Sequence, residues 1–416
     1  MLIRDLPDGR VSGSWMTEAC VEYLTIDADT HVGEPADLWT SRLGVPPESV
    51  PHVRYNSTKA RNEWWIADNY VTLAPAGTVA GANVVPPMNP TTFEDAHPAA
   101  FDIRERVKVM DEQGVWAQVL YPNVGGFGSD HFMKIEDVGL RNECVRAYND
   151  YLVDWIEPHA NRFVPVCMVP FWDVDETVRE IRRSAERGHK AVLRTGKPDI
   201  WWGWPNIASP HWYPVWEVAN DCRMSISFHA GGGDPATGWQ KFGYTGLPNR
   251  TRFTANSVPT FFGNAQTIVD VIFGGVLNRH PELKFVVVES GMGWISFLLE
   301  CMDYQFREHR VREVSPDLEL MPSEYFRRQM LATFWFEEVG PRYLLEHIGA
   351  DSLMFETDFP HPTSLWPPSS AREQAEKALA GHSASDREQV LFSNAAKLYD
   401  IVPPENRSSS QQVVTV

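Results

Sequence analysis

The feature that most constrains the fold of this chain is a recurrence of short, mostly apolar runs that end in a carboxylate or an imidazole. Tyr23-Leu24-Thr25-Ile26 leads into Asp27-Ala28-Asp29-Thr30-His31-Val32-Gly33-Glu34. Met224 to Phe228 ends in His229, and Leu353 to Thr357 ends in Asp358. Apolar runs of this length read as buried strands. Three of them with ligand-type residues at their ends suggest one divalent cation at the mouth of a parallel barrel. Asp29 and His31 are two residues apart, so on a strand their side chains leave from one face and reach one ion together.

The rest of the chain supports that frame. Val115–Tyr121, Phe163–Val169, Lys190–Arg194, Phe285–Val288 and Thr333–Phe336 read as further strands. Between them lie helical patterns, over residues 100–113 with a stop at Gly114, 137–157, 175–187 ahead of Gly188, 213–220, 267–278 and 293–308. Eight strands alternating with helices predict an α/β fold, a (β/α)8 TIM barrel with long loop insertions rather than a doubly wound sheet. The expected organisation is an N-terminal extension over 1–22, a single barrel over 23–400 with an insertion at 35–100 above its mouth, and a flexible tail over 401–416.

At 416 residues, 43% of them hydrophobic and 22% charged, the chain has the length and composition of one large barrel. A net charge of −18 with no basic cluster argues against nucleic acid and anionic membrane surfaces as partners. It leaves a small-molecule substrate. Five cysteines, Cys20, Cys144, Cys167, Cys222 and Cys301, are widely spaced and contain no CxxC pair, so free thiols in a reducing cytoplasm are expected. Residues 1–14 lack the apolar core of a signal peptide, and no run approaches the ~20 apolar residues of a membrane span.

In a barrel of this kind the loops after the strands build the active site. Asp29, His31, His229, Glu289 and Asp358 all fall at such ends. Two imidazoles with carboxylates suit Zn²⁺ or Mn²⁺. Glu34 is either a further ligand or a group that orients one. Arg194, at the end of its strand, pairs either with a substrate carboxylate or with an acid beneath the mouth. Trp201, Trp202, Trp204, Trp212 and Trp366 belong to loops on the same side and point to a pocket for a flat or bulky apolar substrate.

The motif Ile26-Asp27-x-Asp29-x-His31 with Glu34-Pro35, the segment Ser227-Phe228-His229-Ala230-Gly231-Gly232, and Glu356-Thr357-Asp358-Phe359-Pro360-His361 resemble the amidohydrolase-related family. The branch is that of aminocarboxymuconate semialdehyde decarboxylase and the γ-resorcylate decarboxylases. Val107-x-x-Met110-Asp111-x-x-Gly114-Val115, Arg279-His280-Pro281-x-Leu283-Lys284 and Ser393 to Tyr399 are similar to its recurring signatures. The resemblance spans about residues 23–400. It implies one metal ion on Asp29, His31, His229 and Asp358. Two positions depart from the family pattern. Asp29 stands where His or Glu is common, and Glu289-Ser290-Gly291-Met292-Gly293 stands where a His and glycines often provide the acid/base. Glu289 is therefore the preferred proton carrier, with His280 and His361 as the other options, and His280, His361 and Trp366 are further candidates for substrate contact.

The resemblance implies metal-dependent, non-oxidative decarboxylation of an aromatic or unsaturated carboxylic acid. The alternative is hydrolysis of an amide, ester or lactone by metal-activated water, with Asp358 or Glu289 as base. A third option is a catalytically inactive barrel that serves as a binding subunit. The family also suggests a homodimer, with a loop from residues 35–100 or 234–265 of one copy completing the site of the other.

Overall fold

The computed structural model describes residues 24–232 and 246–404; the expected N-terminal extension and most of the expected tail lie outside these. Eight parallel strands follow one another around a barrel: β1 (Thr25–His31), β5 (Val115–Tyr121), β6 (Phe163–Cys167), β7 (Ala191–Leu193), β8 (Ser225–His229), β9 (Phe285–Val288), β10 (Met330–Phe334) and β11 (Leu353–Phe355). A single bridge, Thr30 to Phe359, joins the last strand region to the first, reinforced by bonds from His31 N to Phe359 O (2.8 Å) and Asp358 N to Asp29 O (3.0 Å). Helices pack outside. The chain folds as the expected α/β barrel, and β10 begins three residues earlier than the sequence suggests. Trp335 leaves the sheet there and turns its indole N–H to Thr363 O.

Alternation assigns each side chain to a layer. Ala117, Val119, Val164, Val166, Ala191, Leu193, Val286, Val288 and Met354 form a core inside the barrel. Val192, Ile226, Phe228, Phe285, Val287 and Phe355 face the surrounding helices. The local sequence sets the joints between layers. Asp102 caps the helix Ile103–Gln113 by accepting from Arg104 N and Glu105 N. Gly114 ends that helix at φ +71° and releases the chain directly into β5.

The 35–100 insertion leaves β1 and returns where Gly33 N bonds Ala100 O at 2.8 Å. Its body is an antiparallel meander of β2 (His52–Asn56), β3 (Arg61–Ile66) and β4 (Asn69–Leu73). Beyond the meander, Val79 N and Ala80 N both donate to Pro360 O, which ties the insertion to the loop after β11. Cys144, Cys167, Cys222 and Cys301 are free thiols. Among the described residues no helix is long and apolar enough to cross a membrane.

Candidate active site

One irregularity in β1 creates the site. The pairing of β1 with β5 shifts register between Asp27 and Thr30. Ile26 and Ala28 pack in the barrel core, and after this bulge Asp29 and His31 also turn inward. A regular strand would have put Asp27, Asp29 and His31 on one face. Instead Asp27 stays outside the cluster. Its carboxylate accepts from Thr357 N (2.8 Å), Thr357 Oγ1 (2.5 Å) and Gln118 Nε2 (3.3 Å), which clamps β1 to the segment after β11. Burial raises the Asp27 carboxyl to about 7. Arg106 reaches in from the helix to His31 O and Gln118 Oε1.

At the centre, the Nε2 atoms of His31 and His229 face each other at 3.2 Å. Asp29 Oδ1 lies 3.5 Å from the first and 3.4 Å from the second, and Asp358 Oδ1 lies 3.6 Å from His31 Nε2. All four side chains are fully buried. His31 Nδ1 lies 3.1 Å from Pro122 O and His229 Nδ1 lies 2.7 Å from Ala230 O. Each ring therefore carries its proton on Nδ1 and turns an Nε2 lone pair inward. Two facing lone pairs beside carboxylates repel unless a cation lies between them. Both oxygens of Asp29 lack a hydrogen-bond donor. Burial raises Asp29 well above the usual carboxylate range, with the charges of Asp358, Glu289 and Asp27 adding to it. Burial also lowers His31, and His361 and His229 lower it further. Asp29, His31 and His229 lie close enough together to hold one divalent ion, as do His31, Asp358 and His361, and such an ion would supply the missing counter-charge.

Glu289 ends β9 with its side chain 16% exposed and Oε2 3.5 Å from His229 Nδ1. Burial and the charge of Asp358 raise its carboxyl to about 7, against the pull of His229 and His361. Glu289 and Asp358 both adopt left-handed backbone conformations, φ +52° and +59°. Strain of this kind in non-glycine residues persists where the surroundings enforce it, and it often marks functional sites. His361 stacks on His31 at 3.6 Å. Its Nδ1 lies 2.8 Å from Asp358 Oδ1 and its Nε2 2.8 Å from Asn123 Oδ1. Burial lowers it to about 4.

Other expected residues lie elsewhere. Glu34 is a bracket for the loop after β5: its Oε1 accepts from Asn123 N (2.8 Å) and Val124 N (3.0 Å). Arg194 shares the outward parity of Val192, so its guanidinium lies between the indoles of Trp212 and Trp216, at 3.9 and 4.6 Å. It reaches neither the mouth nor an acid, since Nη1 and Nη2 have no acceptor among the described residues. His280 follows the short helix Val276–Arg279 and precedes β9, which places it at the barrel end opposite the mouth. Trp366 packs on His97 and Phe359 rather than on the cavity. Of the loop tryptophans only Trp201 lines the cavity, an opening of about 490 Å³ over the cluster. Phe127, Phe253 and Phe261 supply the other aromatic walls, and Phe127 stacks on His229 at 4.1 Å. Part of the 234–265 loop lies outside the described residues. Asp27, Asn123 and Phe127 escaped sequence reasoning. Only Asp27 left a trace there, as the first acid of Asp27-x-Asp29.

A family model described as amidohydrolase matches residues 26–401. The chain belongs to the amidohydrolase family. This amidohydrolase is 21% identical over 320 residues to the 2-amino-3-carboxymuconate-6-semialdehyde decarboxylase of Dictyostelium discoideum, covering 75% of this chain and 80% of the relative. It is 23% identical over 321 residues to the gamma-resorcylate decarboxylase of Polaromonas sp. strain JS666, covering 72% and 88%. Among solved structures, an amidohydrolase from Mycobacterium avium subsp. paratuberculosis K-10 superposes with a TM-score of 0.71 at 21% identity, over 91% of this chain and all of that one. A dihydroxybenzoic acid decarboxylase from Polaromonas sp. JS666, solved with bound manganese and the inhibitor 2-nitroresorcinol, superposes at 0.59 with 18% identity, over 92% of this chain and 99% of that one.

Proposed function

We propose that this amidohydrolase is a metal-dependent, non-oxidative decarboxylase of an aromatic or unsaturated carboxylic acid. The observation that carries the reading is Glu289, a carboxyl raised to about 7 that borders both the ligand cluster and an aromatic-walled cavity. Such a group is able to take up and release a proton near neutral pH. The relatives named as decarboxylases point the same way.

Asp29, His31, His229 and Asp358 would hold one divalent ion, and two carboxylates among four ligands favour Mn²⁺ over Zn²⁺. When bound, that ion supplies Lewis acidity toward substrate oxygens. Phe127, Phe253 and Phe261 flank a planar ring and exclude water from it. Glu289 delivers its proton to the carbon that bears the carboxylate. The bond from that carbon to the carboxylate then breaks, its electron pair restores the conjugated system, and CO2 leaves. Solvent returns a proton to Glu289. His361, held between Asp358 Oδ1 and Asn123 Oδ1, fixes the orientation of the Asp358 carboxylate.

Incubation of the Mn²⁺-loaded protein with hydroxybenzoates in D2O tests the reading. CO2 release with one deuterium at the vacated carbon is expected. Glu289→Gln is expected to keep its metal and lose turnover by at least ~100-fold, the lower end of the range for general acid catalysis. Release of an amine or alcohol, without CO2, from amides or esters of the same acids would mark hydrolysis instead. We also propose that the protein is cytoplasmic and forms a homodimer, on the strength of its free thiols and family membership.

A further inference from the structure

The turn that carries Glu289 is held from outside the cavity. Glu289 leaves β9 at φ +52°, and Gly291, two residues on, takes φ +67°. The left-handed region is unfavourable for a residue with a side chain, so its surroundings must enforce it at Glu289. Two of the groups that do so come from β10 and the chain that leaves it. Thr333 Oγ1 accepts from Glu289 N at 3.0 Å. Glu337, three residues past the end of β10, holds the far side of the turn. Its Oε2 accepts from Met292 N and its Oε1 from Gly293 N, both at 2.8 Å. Between these grips, Asn264 Nδ2 donates to Ser290 Oγ at 2.8 Å and Trp294 Nε1 to Ser290 O at 2.7 Å.

The turn is shaped to the Glu337 carboxylate. A β-carbon on Gly291 would stand 2.8 Å from Oε2, and one on Gly293 3.1 Å from Oε1. The two amides lie just ahead of the helix Ile295–Glu308, where a negative charge is favoured. Gln374 Nε2 donates to Glu337 O at 3.0 Å and fixes the backbone from which the carboxylate reaches. Glu337 does not line the cavity, and its charge is not among those that act on the Glu289 carboxyl. Its route to Glu289 is therefore the backbone. Without it, Met292 N and Gly293 N lose a charged acceptor and the turn is free to return Glu289 to negative φ. The direction that sets Glu289 Oε2 3.5 Å from His229 Nδ1 is then lost. We propose that Glu337 is a positioning residue, which keeps Glu289 aimed between His229 and the cavity by gripping the Met292 and Gly293 amides. The inference rests on the decarboxylase reading, because that reading makes Glu289 the proton carrier.

A double-mutant comparison on the Mn²⁺-loaded full-length protein tests this, with a hydroxybenzoate that the native protein decarboxylates. Glu337→Ala is expected to lower kcat roughly tenfold, the scale set by one strained backbone residue, and to leave KM and metal content within about twofold. Glu337→Gln, which keeps one acceptor oxygen, is expected to recover most of that loss. In a Glu289→Gln background, Glu337→Ala is expected to cost nothing further, because the group it aims is already disabled. An equal loss in both backgrounds, or a rise in KM that accounts for the loss, would mark a merely structural role and overturn the assignment. Amide hydrogen exchange over residues 289–293 supplies a readout without turnover. Faster exchange there in Glu337→Ala, with the rest of the barrel unchanged, is expected, and unchanged exchange would overturn the grip itself. A native protein that releases no CO2 would overturn the decarboxylase reading, and the exchange result would still decide whether Glu337 holds the turn.

Discussion

Asp29 depends wholly on its neighbours for a reason to be ionised. It is sealed from water, receives no hydrogen bond and lies near the charges of three other acids, and a divalent ion held beside it would balance them. Asp29→Asn keeps the shape and removes the charge. Its affinity for Mn²⁺ is expected to fall by at least ~100-fold, beyond the 10–100-fold cost of losing a supporting group. Competition with a chelating dye measures this, and unchanged affinity would remove Asp29 from the ligand set. Arg194 is the converse case, a buried charge with no acid paired to it among the described residues. Arg194→Met is expected to leave substrate KM within about threefold and to hold or raise stability, by as much as ~1–4 kcal/mol, since apolar replacements of buried charges often do. A large rise in KM would return Arg194 to the substrate.

At the scale of elements, the site is a set of joints. The Asp27–Thr357 clamp holds β1 to the segment that carries Asp358, across the barrel's closing seam. Thr357→Val removes a hydroxyl donor from a buried carboxylate. It is expected to cost about 1–3 kcal/mol in urea unfolding and to weaken metal binding, because Asp358 follows directly. The Glu34 bracket adds a pH dependence. Burial raises its carboxyl from an ordinary 4.5 to about 7 in the fold. Between those values the unfolded chain gives up the proton first, so its contribution is full below pH 4.5 and is lost as pH rises to 7. The loss is on the order of 3 kcal/mol at most. Glu34→Gln is expected to flatten the difference in stability between pH 5 and pH 8, and an unchanged slope would contradict the shift.

The alternation of strands and helices, and the ligand residues at strand ends, were legible because period-two and period-3.6 patterns record burial directly. Parity was less so. The end of the β7 strand reads as a mouth position for Arg194, yet one step along the strand separates mouth from helix layer, and only packing on Trp212 and Trp216 decides it. His280 shows a related limit: a residue before a strand and one after it look alike in sequence but lie at opposite ends of the barrel. The bulge in β1 left no composition signal, since no glycine marks it.

Over the whole molecule, the ion would join the β1–β11 seam to β8, which lies across the barrel from it, and the three strands are far apart in sequence. It is therefore expected to stabilise the fold as well as the reaction. At a free concentration a hundred times its dissociation constant, the gain is about 2.7 kcal/mol. Thermal unfolding with and without a chelator should show a melting temperature that rises with metal concentration and falls on stripping. A melting curve indifferent to metal would mean that the cluster is formed equally well without it. The net charge of −18 also favours uptake of a cation by an acidic surface.

The bulge between Asp27 and Thr30 makes the site sensitive to counting. If this Asp-x-Asp-x-His string were copied onto an unbulged strand, it would offer the interior three ligands instead of two. The extra carboxylate would crowd the ion, and the seam would lose its clamp in the same stroke. A pattern search on the motif alone therefore recovers proteins with the same letters and different metal chemistry.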